Sequence, residues 1–206
     1  MPVKISLTQF LTFNAKVSTS AKITYVSSIK RQTDYSPAFD YWKGLRDAIK
    51  DCFKYQKPVD SLLEYSSSVR PDKVSNYEKA TKKLLSFTKG HTIRYFDVPH
   101  AIWTSESGSL QVTASPELGL DIDGKRYLVK IYYKKPDGNT KVVKRNIGST
   151  LMLMQLARLS DPIDNAKSAV LNLQNGRLYS NSNVSKKDQL ELKVDADSFV
   201  NIYDSI

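Results

Sequence analysis

PELGLDIDGKRYLVKIYYKK, residues 116–135, predicts a β-hairpin around the turn pair Asp123-Gly124. β-prone residues precede and follow this pair, and Asp-Gly adopts the positive φ angles that a tight hairpin turn needs. Side chains of the second strand should alternate between two faces. One face carries Tyr127, Val129, Ile131 and Tyr133, and the other carries Leu128, Lys130, Tyr132 and Lys134. The second face is therefore amphipathic rather than purely apolar.

Short β-prone runs, separated by Pro, Gly, Asn or Asp, also lie on both sides of this hairpin. They cover residues 92–98, 101–104, 109–114 and 141–145, and a second hairpin is predicted at Asn175-Gly176. Consecutive short strands with tight connections favour antiparallel pairing. The middle of the chain is thus predicted to be a mainly antiparallel sheet of short strands and hairpins.

Apolar residues recur at helical spacing through most of the first ninety residues. The predicted helices cover residues 6–14, 36–53, 59–65 and 74–87. Ser6 and Gln9 have the spacing of a capping box at the first of them. By contrast, the polar and β-branched segment 16–33 predicts a strand or an extended arm.

Together these elements predict an α+β protein with helices packed on the sheet. The chain of 206 residues is interpreted as a single domain, helical over 1–90 and sheet-rich over 91–182. A helix is expected at 151–159 and a C-terminal helix near 194–206. Its 40% hydrophobic and 25% charged residues are ordinary for a compact globular chain.

No apolar run approaches the roughly 20 residues that a membrane-spanning helix needs. The N-terminus lacks the unbroken apolar stretch of a signal peptide, so the sequence predicts a cytoplasmic protein without a membrane partner. Cys52 is the single cysteine, and its place in an apolar helical series predicts a core residue rather than a catalytic thiol. One cysteine and two histidines do not favour a zinc site, and no cofactor is expected.

The net charge of +10 and the pI near 9.5 favour an acidic partner such as DNA, RNA or an acidic protein. Cations contact phosphates, and aromatic side chains stack on bases. The predicted nucleic-acid-binding residues lie on and after the hairpin: Lys125, Arg126, Lys130, Tyr132, Lys134, Lys135, Lys141, Lys144 and Arg145. The same residues also fit an ordinary solvated surface in which the tyrosines pack the sheet.

A basic ridge is also predicted on the strongest helix. Four cations recur every three to four residues, so a helix aligns them on one side: Lys43, Arg46, Lys50 and Lys54. Asp47 and Asp51 lie beside them, which fits a solvated face equally well. The ridge is a second candidate surface for an acidic partner.

Common catalytic motifs, including the P-loop, GxGxxG, GxSxG, HExxH and the EF-hand loop, are absent from the sequence. The hairpin does resemble the layout of PD-(D/E)XK nucleases, which place an acidic residue on one strand and an acidic-x-lysine triplet on the next. The resemblance implies Mg²⁺-dependent cleavage by Glu117, Asp121 and Lys130, with carboxylates holding the metal and the lysine positioning water. The triplet departs from the pattern because Leu128 stands where a carboxylate is required.

Two segments resemble an uncharacterised bacterial protein family. They are YSP with DYWK in residues 35–43, and PELGL in residues 116–120 with VKIY in residues 129–132. The resemblance implies no established activity, but it suggests that the matching residues share one site. The candidates for that site are Tyr35, Asp40, Lys43, Arg46, Glu117 and Lys130. Asp40 and Arg46 are equally consistent with structural ion pairs to Lys130 and Glu117.

Three functional hypotheses follow from the sequence. The first is a non-catalytic binding module for nucleic acid or another acidic partner. The second is a PD-(D/E)XK-like nuclease, or a degenerate relative of one, and the third is a protein-interaction adaptor. The first is favoured because the metal ligand set of a nuclease is incomplete while the hairpin is rich in cations.

Overall fold

The computed structural model of the protein describes residues 1–31, 40–133, 140, 142–143, 146–160, 163–180 and 185–206. Seven helices lie within these residues: α1 Leu7–Ala15, α2 Thr19–Lys30, α3 Lys43–Lys54, α4 Ser61–Ser68, α5 Pro71–Thr88, α6 Gly148–Leu156 and α7 Lys186–Ser205. Nine strands lie within them as well: β1 Val3–Ser6, β2 Ile93–Phe96, β3 Ala101–Thr104, β4 Leu110–Thr113, β5 Leu118–Ile122, β6 Lys125–Tyr132, β7 Arg158–Leu159, β8 Lys167–Asn172 and β9 Arg177–Ser180.

The strands form two sheets. The larger sheet has the order β2-β5-β6-β8-β9, and the smaller has the order β1-β4-β3-β7. Most neighbouring pairs are antiparallel, and with the packed helices they confirm the predicted α+β class. Two pairs are parallel, namely β1 with β4 and β6 with β8. A parallel pair needs a long connection, and α6 lies in the connection between β6 and β8.

The β5–β6 hairpin confirms the predicted turn and the predicted alternation of side chains. Asp123 and Gly124 have φ angles of 52° and 79°, in the left-handed region that a two-residue hairpin turn requires. Leu118 pairs with Val129, which sets the register of the two strands. The hairpin could be predicted because its turn residues and both of its strands are adjacent in sequence.

Two hydrophobic clusters pack against opposite faces of β6. Val129 and Ile131 belong to a cluster with residues of α3, α4 and α5, whereas Tyr132 belongs to a cluster with residues of α1, α6 and α7. β6 is therefore buried on both sides, as expected for a central strand covered by helices on each face. Cys52 lies in the first cluster with 2% of its surface exposed, which confirms its predicted place in the core.

The segment 16–33 differs from its prediction. A strand or extended arm is wrong here, because α2 occupies most of the segment. Ser18 caps this helix by accepting a hydrogen bond from the Ala21 N–H at 3.2 Å, and Val26 is fully buried in the core. A helix with only one buried residue lacks the wide apolar stripe that identifies helices in sequences, which explains the error.

Capping boxes define two helix starts. At α1 the Ser6 hydroxyl accepts from the Gln9 N–H while the Gln9 side chain accepts from the Ser6 N–H, as predicted. Ser185 and Asp188 form the same arrangement at α7. The C-terminal helix consequently begins at Lys186, well before the predicted residue 194, because its start is fixed by the cap rather than by the apolar residues.

Some predictions fall on other parts of the chain. The predicted helix start at Ser36-Pro37 lies outside the described residues, as does most of the predicted strand 141–145. The helix predicted for 151–159 begins earlier, at Gly148, and is followed by the short strand β7. Within the described ranges, no helix is long and apolar enough to cross a membrane.

Candidate functional site

Glu117 and Lys130 form an ion pair where β5 begins. The Glu117 N–H donates to the Val129 carbonyl at 3.0 Å, so Glu117 lies opposite Lys130 on the neighbouring strand. Glu117 Oε1 accepts a hydrogen bond from Lys130 Nζ, and Oε2 accepts one from the Ile131 N–H at 2.7 Å. Only 12% of the Glu117 side chain and 7% of the Lys130 side chain are exposed. The pair is thus largely removed from solvent.

The local sequence explains why Glu117 binds a backbone N–H. Pro116 precedes it and has no N–H to continue a strand ladder with β6. A buried backbone N–H without a partner is costly. The Glu117 carboxylate accepts a hydrogen bond from the Ile131 N–H, which lies just outside the part of β6 that pairs with β5. The carboxylate therefore has a structural role in addition to neutralising Lys130.

Arg46 of helix α3 and Asp40, which precedes that helix, are two further charged residues close to Glu117. Arg46 Nη1 lies 2.9 Å from Asp40 Oδ2. Burial alone would lower the pKa of Arg46, but the charges of Asp40 and, at longer range, Glu117 raise it overall. Burial raises the pKa of Tyr133 well above 10, and the charge of Glu117 raises it further. The Tyr133 ring stacks on Trp42 with 5.4 Å between ring centroids.

This charge cluster, defined as Asp40, Arg46, Glu117, Lys130 and Tyr133, contains four of the six residues predicted to share a site. Lys43 instead points its amine at Asp47 Oδ2, at 2.5 Å, and is exposed. Tyr35 lies outside the described residues. The observed ion pairs are Arg46 with Asp40 and Lys130 with Glu117. The predicted pairs, Asp40 with Lys130 and Arg46 with Glu117, are therefore wrong.

The cluster does not fit a Mg²⁺ ion. Both carboxylate oxygens of Glu117 are occupied by hydrogen-bond donors, and Leu128, where a second ligand would stand, is an apolar side chain with 5% exposure. Asp121 is four residues farther along the strand, about 13 Å away at the usual rise. Within the described ranges, no group of three or more His, Cys, Asp or Glu residues could hold a metal ion. No step of a metal-dependent reaction follows from this donor set.

A second candidate lies at the turn end of the hairpin. Arg94 on β2, Asp121 on β5 and Arg126 on β6 are direct cross-strand neighbours, so their side chains share one face of the sheet. The Phe96 ring lies on the same face, with the Arg126 guanidinium carbon 4.7 Å from its centroid. Both arginines are exposed, and Phe96 and Asp121 are half-buried. These four residues are named the hairpin-end surface.

The structure distributes the predicted nucleic-acid-binding residues unevenly. Lys125 and Arg126 are exposed beside the turn. Lys130 and Tyr132 are corrected to buried residues, with 5% and 1% exposure, because the hydrophobic cluster of α1, α6 and α7 covers their face of β6. Neither side chain can contact a ligand on the surface in this structure. The remaining predicted cations lie outside the described residues: Lys134, Lys135, Lys141, Lys144 and Arg145.

The predicted basic ridge on α3 is largely neutralised. Lys43 pairs with Asp47 and Arg46 with Asp40. Lys54 lies 3.5 Å from Asp97, a residue of the β2–β3 connection. Lys50 is exposed, and its charge contributes to the lowered pKa of Asp97 after the Tyr95 hydrogen bond and Lys54. The ridge therefore presents little unbalanced positive charge to a partner.

The sequence interpretation did not select Arg94 or Phe96. The two residues are two positions apart in the predicted strand 92–98, so the alternation of side chains predicts that they share a face. Their position beside Arg126 depends on the pairing of β2 with β5, which joins segments about thirty residues apart. No local signal fixes that register, and the pairing is known only from the structure.

A comparison with models of known protein families finds no match. A comparison with curated protein sequences finds none either. The fold defines the chain as an α+β protein of two mixed sheets and packed helices. The charge cluster and the hairpin-end surface are the two candidate functional sites among the described residues.

Proposed function

We propose that the protein is a non-catalytic nucleic-acid-binding module that uses the hairpin-end surface together with Lys125. The observation that carries the proposal is the placement of two exposed arginines and an aromatic ring on one face of the sheet. Arginine donates to phosphate oxygens with a planar fork of N–H groups, and a guanidinium held over an aromatic ring can stack on bases. The combination is typical of surfaces that bind nucleic acid.

The overall charge supports the same interpretation. The chain carries 31 Lys and Arg residues against 21 Asp and Glu residues. A net charge of +10 attracts polyanions at long range and speeds their association. Asp121 opposes this locally, because its carboxylate lies between the two arginines of the surface. We expect phosphates to lie beside an arginine rather than above Asp121 on the strand between the two arginines.

The nuclease alternative has one supporting feature and one opposing feature. Glu117 and Lys130 lie opposite each other on a hairpin, as the PD-(D/E)XK layout requires. The missing carboxylate at Leu128 and the occupied oxygens of Glu117 leave no adequate set of metal ligands. A degenerate relative that binds without cutting agrees with both features, and an acidic protein partner remains the adaptor alternative.

Fluorescence anisotropy of labelled oligonucleotides across a salt series tests the proposal. The 206-residue chain is titrated with Mg²⁺ present, and the probes are examined afterwards for cleavage. For single strands, the logarithm of the binding constant should fall linearly with the logarithm of salt concentration, by about 0.7 per phosphate contact. Replacing Arg94 and Arg126 by Gln together should therefore flatten the slope by about 0.7 for each arginine that contacts a phosphate.

The matched control is Lys186→Gln, an exposed cation at the start of α7 that lies outside the hairpin-end surface. This variant should keep the slope of the parent protein. Intact probes with a reduced slope in the double variant support the proposal. An unchanged slope would overturn the assignment to the hairpin-end surface, and cut probes would favour the nuclease.

A further inference from the structure

Gly119 makes room for the Phe96 ring on the sheet. The two residues are direct cross-strand neighbours on β2 and β5. A Cβ atom at position 119 would come within 2.5 Å of two carbons of the Phe96 ring, closer than real Cβ atoms approach. Because glycine lacks this atom, the ring can lie against the strand instead of standing away from it. One side of the ring is thus supported by the backbone of β5.

Arg126 covers the Phe96 ring from its own strand, two strands away. Its guanidinium carbon is 4.7 Å from the ring centroid, within the range of about 6 Å for a cation–π contact. The contact restrains a long side chain that is otherwise exposed. A guanidinium held over a ring presents a flat, weakly hydrated cation to solvent. Nucleobases stack on such groups as they do on aromatic rings.

Arg94 supplies a second cation at a fixed separation. It lies two strands from Arg126, which corresponds to roughly 10 Å at the usual spacing of strands. Asp121 lies between them, and its Oδ1 accepts the Gly124 N–H at 2.9 Å within the turn. A phosphate is therefore favoured above Arg94 at the edge strand and disfavoured above the strand between the arginines. The surface consequently has a stacking position and a separate phosphate position.

We propose that this surface selects single-stranded over double-stranded nucleic acid, an inference that rests on the proposed function. In a duplex the bases stack on one another and their flat faces are not available to a protein surface. In a single strand a base can turn outward and stack on the Arg126 guanidinium while its phosphate contacts Arg94. A duplex gains only the phosphate contacts, so it binds this surface less tightly.

Competition anisotropy with the 206-residue chain provides the test. Single-stranded DNA and RNA and their duplexes, of the same mixed sequence, are compared at one salt concentration. The informative variant is Arg126→Lys, which keeps the positive charge and removes the planar group. We expect single strands to bind about tenfold more weakly to this variant while duplex binding changes little. Arg177→Lys is the matched control, since this exposed arginine lies on β9 at the opposite edge of the larger sheet, and it should leave the binding of both kinds of probe unchanged.

Each outcome separates the two proposals. Tighter binding of single strands, reduced selectively by Arg126→Lys, supports the inference. Equal binding of single strands and duplexes would overturn the inference and leave the proposed function standing. Equal losses of single-strand and duplex binding in Arg126→Lys would also overturn it, because stacking would then have no role. Absence of binding to every probe would overturn both proposals together.

Discussion

Glu117 accepts a hydrogen bond from Lys130 and another from the Ile131 N–H, so one carboxylate neutralises a buried cation and also completes the hydrogen bonding of β6. The two roles explain why a charged pair lies between the buried side chains of Leu128 and Tyr132 on this strand face. Burying charged groups is unfavourable unless each finds a partner and further hydrogen bonds. We therefore expect a large loss of stability when one member of the pair is removed alone, and a smaller one when both are replaced.

Lys130→Met should lower the free energy of unfolding by about 3 kcal/mol, because it leaves the Glu117 carboxylate buried without its counter-charge. Glu117→Gln should cost a similar amount by stranding the Lys130 ammonium. The double variant should cost less than the sum, since no buried charge is left unpaired. Urea unfolding of the four proteins measures each value and the coupling between them.

Lys43→Met is the control for this prediction. Its ion pair with Asp47 is about half exposed on both side chains, so its loss should cost well under about 1 kcal/mol. Equal effects of Lys130→Met and Lys43→Met would show that the Glu117–Lys130 pair has no special role in stability.

Gly119→Ala should destabilise the protein by roughly 1–3 kcal/mol, because the new methyl group overlaps the Phe96 ring and the backbone of β2. Introducing Phe96→Leu in the same chain should recover part of the loss by freeing the space above the strand. The recovery should be incomplete, since the backbone oxygen of Phe96 also lies in the way. Additive effects in urea unfolding would contradict the proposed contact between position 119 and the ring.

The features that the sequence predicts well are those encoded by neighbouring residues. The Asp123-Gly124 turn, the alternation along β6 and the Ser6–Gln9 capping box all depend on residues within a few positions of each other. Helix α2 was missed because it buries a single residue, Val26, and leaves no apolar stripe. Local chemistry thus predicts turns and caps better than it predicts weakly amphipathic helices.

The candidate sites show where prediction from sequence ends. Asp40 and Arg46 lie near Glu117, but the ion pairs that these charges form differ from the predicted ones. The burial of Lys130 and Tyr132 could not be predicted, because it depends on distant helices covering the lysine face of β6. A lysine next to tyrosine on a strand has the same local pattern on a surface as in a core.

Asp123 should stabilise the protein only above acidic pH. Its pKa is lowered from 3.8, first by the hydrogen bond with His91 Nδ1 at 2.6 Å and then by the Thr92 N–H. Since the folded state holds the proton less tightly than the unfolded state, this contribution is present above about pH 4 and is lost as the pH falls through the lowered value. Asp123→Asn should therefore be less stable than the parent at pH 6, and the difference should vanish in acid.

The free energy of unfolding as a function of pH measures this effect. Asparagine tolerates the positive φ of position 123, so the comparison isolates the charge rather than the turn geometry. Asp51→Asn, at an exposed position of α3, serves as the control for the loss of one surface carboxylate. A difference between Asp123→Asn and the parent that persists undiminished in acid would contradict the prediction.

Asp195 should show the opposite dependence on pH. Burial raises the pKa of this α7 carboxyl above 3.8, although a hydrogen bond from Ser149 and the charge of Lys22 act to lower it. The folded state then holds the proton more tightly than the unfolded state, so ionised Asp195 lowers the free energy of unfolding as the pH rises through 3.8 and the raised value.

Asp195→Asn removes the charge, and its amide oxygen can still accept the Ser149 hydrogen bond. We expect this variant to be more stable than the parent at pH 7 and to lose that advantage in acid, where Asp123→Asn loses its disadvantage. A variant that is less stable than the parent at pH 7 would instead show that the contact with Lys22, at 3.8 Å, outweighs the burial of the charge.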